Sequence, residues 1–263
     1  MVDIGQDETV TEAIIIDKLI RFNEFERFYC TEWEPRKKRD GASIDWKINS
    51  SCDGFAFQWF DEINGELKPF IRLRYIPITR EDAFLVAHEI EHVIKYFDKQ
   101  YLKFAMDSEI AKNYNDGDII DLAFRIGSMF DDPIIDSFLQ KEYKFKPAIF
   151  YTPVKIPDTI EKLNSSGDPT DDLTKLKQAL FYSQCALQWD AIKNAKSLRK
   201  WQDLKRRYQI RRPVVRRMGE ELYLMSKENG YNKLEKQKLL FGKIADKYTI
   251  DGIKLKDILY INK

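Results

Sequence analysis

Both histidines of this 263-residue chain lie in one five-residue segment, His88-Glu89-Ile90-Glu91-His92. The surrounding sequence predicts a helix over residues 80–98, because Thr79 and Asp82 have the spacing of a capping box and apolar residues recur at helical spacing. Residues four apart lie on the same face of a helix. The segment therefore directs both imidazoles to one side of a single element.

The spacing of the two histidines suits a metal ion. Nitrogen ligands lie about 2.0–2.1 Å from zinc, and side chains one helical turn apart can meet at that distance. Glu89 is rotated by about 100° around the helix, so it lies beside the ion without having to bind it. The form H-E-x-x-H thus predicts a zinc-dependent hydrolase site. Two satisfied core histidines, or a surface pair beside a chance glutamate, are the structural alternative.

A catalytic zinc site also needs a third protein ligand. Catalytic zinc takes three protein ligands and keeps a position for water, whereas structural zinc takes four. No third histidine exists, and Cys30, Cys52 and Cys185 lie far apart without C-x-x-C spacing. The third ligand is therefore expected to be a carboxylate from a downstream helix.

Over roughly residues 54–145 the chain resembles the gluzincins, zincin metallopeptidases that combine H-E-x-x-H with an acidic ligand on a later helix. Besides the histidine motif, Asp132-Pro133-Ile134-Ile135-Asp136 has the family's acidic-x-x-x-Asp form, with aspartate in place of the usual glutamate. The resemblance implies that Asp132 is the third ligand and that Asp136 orients a histidine ring, or the reverse.

The resemblance also implies a role for Glu89 and leaves other ligands open. In zincins this glutamate takes a proton from the metal-bound water and hands it to the leaving amine. Some zincins of phage and mobile-element regulatory systems take their acidic ligand nearer to the motif, so Asp121 and Asp118 are further candidates. The oxyanion donor of a zincin is commonly Tyr, His or Arg. Since both histidines of the chain are predicted metal ligands, the candidates for the oxyanion donor are Tyr96, Tyr101, Tyr114 and Arg125.

The predicted elements give an α+β fold, in which a small β-sheet or hairpin packs on a zincin-type helical core and a mostly helical C-terminal region follows. The aromatic and β-branched runs 54–60 and 69–76, with Asn64-Gly65 between them, predict the hairpin. Three segments are expected: an N-terminal helical segment 1–45, a zincin-like core 46–150 and a helical basic region 151–263.

Local signals predict the remaining elements. Further helices are expected over 11–31, 101–113 and 118–129, with an exposed loop at 34–41. Asp132 is expected to cap a separate helix that begins at Pro133 and ends near Lys141. Everything after Thr170 is expected to be helical.

Composition places the chain among ordinary globular proteins, since 43% of its residues are hydrophobic and 33% are charged. Its acidic start does not fit a secretory signal, and no run approaches the ~18 uncharged apolar residues of a membrane-spanning helix. An odd number of scattered cysteines argues against a disulfide framework. We therefore expect a soluble, cytoplasmic protein that does not bind membranes.

Charge is distributed unevenly along the chain. Residues 1–150 hold 20 basic and 29 acidic residues, whereas residues 151–263 hold 24 and 14. The basic cluster from Arg199 to Arg217 indicates either a phosphate-rich partner such as a nucleic acid or a solvated helix face that pairs with acidic groups. The apolar residues Ala245, Tyr248, Ile250, Leu255 and Ile258 have the spacing of a helix-turn-helix, with Ile250 in the turn.

We therefore expect a zinc metallopeptidase that hydrolyses peptide bonds of a peptide or protein substrate through a metal-activated water. Its cofactor is Zn²⁺, its ligands are His88, His92 and Asp132 or Asp136, and Glu89 is its base. A regulatory zincin that cleaves one partner, such as a repressor, under direction of a C-terminal DNA-binding module is one alternative. A non-catalytic, metal-stabilised interaction scaffold is another, although such a scaffold has no use for Glu89.

Overall fold

The computed structural model describes residues 7–51, 56–63, 66–147, 151, 159, 161–163, 165–192 and 195–261. Helices and small sheets make up this part of the chain, so the predicted α+β class is confirmed. The chain divides into two compact units, Met1–Lys99 with Ser137–Ile149 and Gln100–Asp136 with Phe150–Lys263. The three predicted segments stay a prediction.

The first unit contains four strands, β1 (Glu8–Val10), β2 (Asp45–Ile48), β3 (Ala56–Ile63) and β4 (Glu66–Leu73). They form one sheet of order β1-β2-β4-β3. Strands β2 and β4 are parallel, and the other two pairs are antiparallel. The predicted hairpin is confirmed as the pair β3 and β4, while its Asn64-Gly65 turn lies outside the described residues.

The predicted helix 11–31 and loop 34–41 are both corrected. The chain forms α1 (Glu12–Leu19), α2 (Asn23–Phe28), a π-helical turn (Tyr29–Trp33) and α3 (Glu34–Asp40). The basic run from Arg36 to Arg39 is helical because Pro35 occupies the first turn, where its missing N–H costs nothing, and Gly41 ends the helix in a left-handed conformation.

Helix α4 (Arg80–Phe97) carries the histidine motif and begins as predicted. Thr79 accepts a hydrogen bond from the Asp82 backbone, and the Asp82 carboxylate accepts one from the Thr79 backbone. This reciprocal cap satisfies backbone donors that a helix start otherwise leaves unpaired. The face formed by Ala83, Val86, Ala87, Ile90 and Val93 is fully buried, which fixes the rotation of the helix about its axis.

In the second unit the predicted helix 101–113 is wrong. Residues of β5 (Phe104–Met106) pair antiparallel with β8 (Leu259–Ile261), and only α5 (Ser108–Ala111) is helical. The strand partner lies more than 150 residues downstream, beyond the reach of any local pattern.

The two helices predicted over 118–129 and 133–141 are one helix, α6 (Asp116–Tyr143), with Pro133 inside it. Proline removes only one helical hydrogen bond, that to the carbonyl of Met129. Buried residues before and after it, including Phe130 and Ile135, pack on both sides of this gap and hold the helix together. Asp132 is therefore not a helix cap.

The region after Thr170 is mostly helical, as predicted, with short strands near its end. It consists of α7 (Asp172–Ile192), α8 (Ala195–Arg211), α9 (Pro213–Asn229), α10 (Leu234–Lys247), β6 (Thr249–Ile250), β7 (Ile253–Lys254), α11 (Leu255–Ile258) and β8. None of the helices in the described part of the chain combines the length and apolar character needed to cross a membrane.

The predicted helix-turn-helix is not formed. Ile250 lies in β6 and pairs with Ile253 of β7, and the segment expected to be the recognition helix is the single turn α11. Asp251 and Gly252 both have positive φ angles, 50° and 83°, as a tight two-residue hairpin turn requires.

The close packing of α7 against α9 gives a test of the fold. A Cβ atom at Gly219 would lie 2.6 Å from Cδ1 of Tyr182 and 3.0 Å from the carbonyl oxygen of Ala179, whereas one at Gly242 meets nothing within 4 Å. Both glycines are helical, so replacement by alanine brings each the same gain in helix propensity, about 1 kcal/mol.

We expect Gly219→Ala to lower the free energy of unfolding by about 1–3 kcal/mol despite that gain, and Gly242→Ala to raise it slightly. Urea unfolding followed by circular dichroism measures both. Equal stabilisation by the two substitutions would contradict the packing of α7 on α9.

Candidate metal centre

His88 and His92 project from one side of α4, with their Nε2 atoms 3.2 Å apart. Two nitrogens bound at 2.0–2.1 Å to one tetrahedral ion lie about 3.3 Å apart, so the pair already has the separation that a shared ion requires. His88 is buried and His92 is half-buried. The ring of Phe84 packs edge-on against His88, with centroids 6.1 Å apart, and restricts its rotation.

The two glutamates of the motif, Glu89 and Glu91, are both half-buried. Burial, together with the nearby Glu32 carboxylate, raises the pKa of Glu91 to about 8, although Arg36 and Lys95 act in the opposite direction. Glu91 is therefore largely protonated at neutral pH, and it is a poor choice for a base.

The two aspartates of the acidic-x-x-x-Asp segment, Asp132 and Asp136, both lie on α6. Two imidazole nitrogens and one carboxylate oxygen are the donor types of a catalytic zinc site. That either aspartate binds a metal together with the histidines stays a prediction.

Asp132 and Asp136 lie one turn apart on α6, and each accepts a hydrogen bond from a glutamine of α7. Gln184 Nε2 donates to Asp132 Oδ2 at 2.6 Å, and Gln188 Nε2 donates to Asp136 Oδ2 at 3.1 Å. Asp136 is 1% exposed and also accepts a 2.6 Å bond from the Tyr151 hydroxyl. Burial and the Asp136 carboxylate raise the pKa of Tyr151 well above its usual value, so its hydroxyl keeps its proton.

The alternative acidic ligands on the first part of α6 are engaged with cations. Lys177 lies 2.9 Å from Asp118 and 2.8 Å from Asp121, and Arg125 lies 3.1 Å from Asp121. Partial burial alone would raise the pKa of Asp121, but the hydrogen bonds and charges of Lys177 and Arg125 outweigh it and lower the pKa. A role of either aspartate as the third ligand stays a prediction.

The four candidate oxyanion donors have other contacts. The Tyr114 hydroxyl donates to the carbonyl of Ile250 at 3.2 Å, and Arg125 pairs with Asp121. The Tyr96 ring packs 4.3 Å from the ring of Phe60, and Lys103 lies over the ring of Tyr101. A role in oxyanion stabilisation stays a prediction for each.

Several members of the basic cluster between Arg199 and Arg217 form local contacts. Arg206 and Arg207 pair with Asp203, and Lys205 and Arg216 pair with Glu220. These pairs account for part of the basic run by contacts within α8, within α9 and between the two helices. Binding of a nucleic acid through this cluster stays a prediction.

Sequence reasoning missed Gln184, Gln188 and Tyr151. The two glutamines are one turn apart in a stretch of α7 whose neighbours are buried, and they are themselves 7% and 3% exposed. Polar residues buried in a helix need hydrogen-bond partners, so their presence among apolar neighbours is a signal that something polar faces them. The identity of that partner has no sequence signature.

No known protein family matches this chain, and comparison with curated proteins and with solved structures finds no significant relative.

The ion pairs of Asp121 lead us to predict that it is not a metal ligand. We expect Asp121→Asn to leave metal binding unchanged and to lower stability at neutral pH by roughly 1 kcal/mol or less, because the carboxylate is only partly buried. Since the folded-state pKa is lowered, this stability is present above the unfolded pKa of about 3.9 and is lost as pH falls through the folded value.

Urea unfolding of Asp121→Asn and the unmodified chain at pH 7 and pH 3 measures the difference, which should shrink at the lower pH. Metal content of both proteins is the second readout. Loss of bound metal in Asp121→Asn would make Asp121 the ligand after all.

Proposed function

We propose that this protein is a zinc-dependent metallopeptidase whose metal ligands are His88, His92 and Asp132 and whose catalytic base is Glu89. The observation that carries the proposal is the 3.2 Å separation of the Nε2 atoms of His88 and His92 on one helix, in the motif that also contains Glu89. Three protein ligands leave a position for water, as hydrolysis requires.

A bound zinc ion supplies Lewis acidity, which polarises a carbonyl and makes water acidic near neutral pH. The protein's own residues supply the rest. Glu89, next to His88 on a helix whose rotation is fixed by its buried face, accepts the proton of the attacking water and then donates it to the leaving amine. The other glutamate of the motif, Glu91, has a pKa raised to about 8, so it is largely protonated near neutral pH and does not share this work.

We prefer the hydrolase hypothesis to three alternatives, an Fe(II) site, a regulatory zincin and a metal-stabilised scaffold. Two histidines and a carboxylate can also hold Fe(II), but a glutamate directly after the first histidine is the added feature of a hydrolase. A regulatory zincin directed by a helix-turn-helix loses its main support, because Leu255–Ile258 is a single turn. A metal-stabilised scaffold leaves Glu89 without a role.

We place the protein in the cytoplasm. Among the described residues Cys30 is exposed and Cys185 is buried, and the two form no disulfide bond. An exposed thiol is compatible with a reducing compartment.

The proposal predicts about one zinc ion per chain. We expect His88→Ala and His92→Ala to lose it, since each removes one of three ligands, and Asp132→Ala to weaken zinc binding more than Asp136→Ala does. Asp136→Ala is the matched control, one turn along the same helix. Elemental analysis identifies the metal, and competition with a chelating dye ranks the affinities. Full zinc content in both histidine variants would refute the site.

A second prediction concerns the base. We expect Glu89→Gln to bind zinc normally and to lose hydrolysis of fluorescent casein and quenched peptide libraries, because an amide accepts no proton from the attacking water. Glu91→Gln is the matched control in the same motif. It should keep both properties, since it replaces a largely protonated carboxyl with a neutral group of the same shape. Hydrolysis that survives in Glu89→Gln would exclude Glu89 as the base.

A further inference from the structure

Two helices of the second unit face each other through a pair of polar contacts. On α6, Asp132 and Asp136 are separated by one turn, and on α7, Gln184 and Gln188 are separated by one turn. Each glutamine side-chain amide donates to Oδ2 of one aspartate, at 2.6 Å for Gln184 and 3.1 Å for Gln188. The contacts follow the same order along both helices. The two helices therefore match in the spacing of these residues as well as in pairing an amide donor with a carboxylate acceptor.

We propose that Gln184 is a positioning residue that fixes the orientation of Asp132 as a metal ligand. This inference rests on the proposed function, because Asp132 needs orientation only if it binds the ion. A carboxylate on a single methylene can turn about its last bond. A 2.6 Å hydrogen bond to one oxygen fixes its plane, and thereby the direction of the second oxygen.

The chemistry of the donor supports this role. An amide N–H orients a carboxylate without bringing a positive charge near it, whereas a lysine or arginine would compete with a cation for the same oxygens. Asp121 on the same helix shows the contrasting case, since it is paired with Lys177 and Arg125. Hydrogen-bond partners behind metal ligands typically change metal affinity by ~10–100-fold when removed.

The rigid placement of Gln184 also supports its role in positioning Asp132. Gln184 is 7% exposed, and its neighbours Ser183 and Cys185 are buried as well. One turn further on, Gln188 donates to both Asp136 and the Tyr151 hydroxyl, and that hydroxyl donates to Asp136 in turn. This closed triangle anchors the next turn of α7 to the next turn of α6, so the backbone that carries Gln184 is held in place.

The test compares Gln184→Met with Gln188→Met in the full chain. Methionine has nearly the same length and shape as glutamine but no N–H donor, and both positions lie on one helix with similar burial. Two readouts are used: Zn²⁺ affinity by competition with a chromophoric chelator, and the visible absorption bands of the Co²⁺-loaded protein, which report ligand geometry. Thermal unfolding of the metal-free proteins measures the structural effect of each substitution separately.

We expect Gln184→Met to lower Zn²⁺ affinity by ~10–100-fold and to shift the Co²⁺ bands, and Gln188→Met to change affinity by less than about threefold despite a comparable loss of stability. If Gln184→Met does not fold, Gln184→Asn serves instead, because its amide is one methylene too short to reach Asp132.

Unchanged Zn²⁺ affinity and an unchanged Co²⁺ spectrum in a folded Gln184 variant would overturn this inference and leave the proposed metal site standing. Equal effects of Gln184→Met and Gln188→Met would overturn it too, because they would reduce Gln184 to a packing role. Failure of the unmodified chain to bind either metal would overturn the proposed function itself, and this inference with it.

Discussion

The 3.2 Å separation of the two histidine nitrogens depends on the rigidity of one helix. A four-residue spacing places the rings on one face, but only an undistorted helix with a fixed rotation keeps them there. The reciprocal cap at Thr79 and Asp82 secures the first turn, and the fully buried face from Ala83 to Val93 prevents rotation. The polar face that carries His88, Glu89 and His92 is thus positioned by residues that take no part in chemistry.

The sequence predicted best those parts of the fold whose signals are local. The cap, the histidine helix and the pairing of β3 with β4 depend on patterns within about twenty residues. Predictions were wrong where a distant partner decides the structure. Residues 104–106 become a strand because β8 pairs with them, and the basic run at 36–39 becomes helical although its composition suggested a loop.

The same distinction between local signals and distant partners applies to the residues of the candidate site. Spacing and residue type predict His88, Glu89 and His92 as site residues, since all three lie in one motif. The prediction for Asp132 came with a wrong structural interpretation, because Pro133 was expected to open a new helix with Asp132 as its cap. A mid-helix proline tolerated by packing on both sides has no local signature. The contact of Gln184 with Asp132 could not be predicted, because the two residues are 52 positions apart. A glutamine in a helix also has no characteristic hydrogen-bond partner that its sequence position would indicate.

Helix α6 places three aspartates in three different electrostatic settings, and these settings give a physical basis for assigning their roles. Asp121 is neutralised by Lys177 and Arg125, so binding a cation there would first require breaking ion pairs. Asp136 is 1% exposed and accepts two hydrogen bonds on one oxygen, from Tyr151 and Gln188. Asp132 accepts a hydrogen bond from the uncharged side-chain amide of Gln184. Of the three, Asp132 has the environment that orients a carboxylate for a cation without neutralising it.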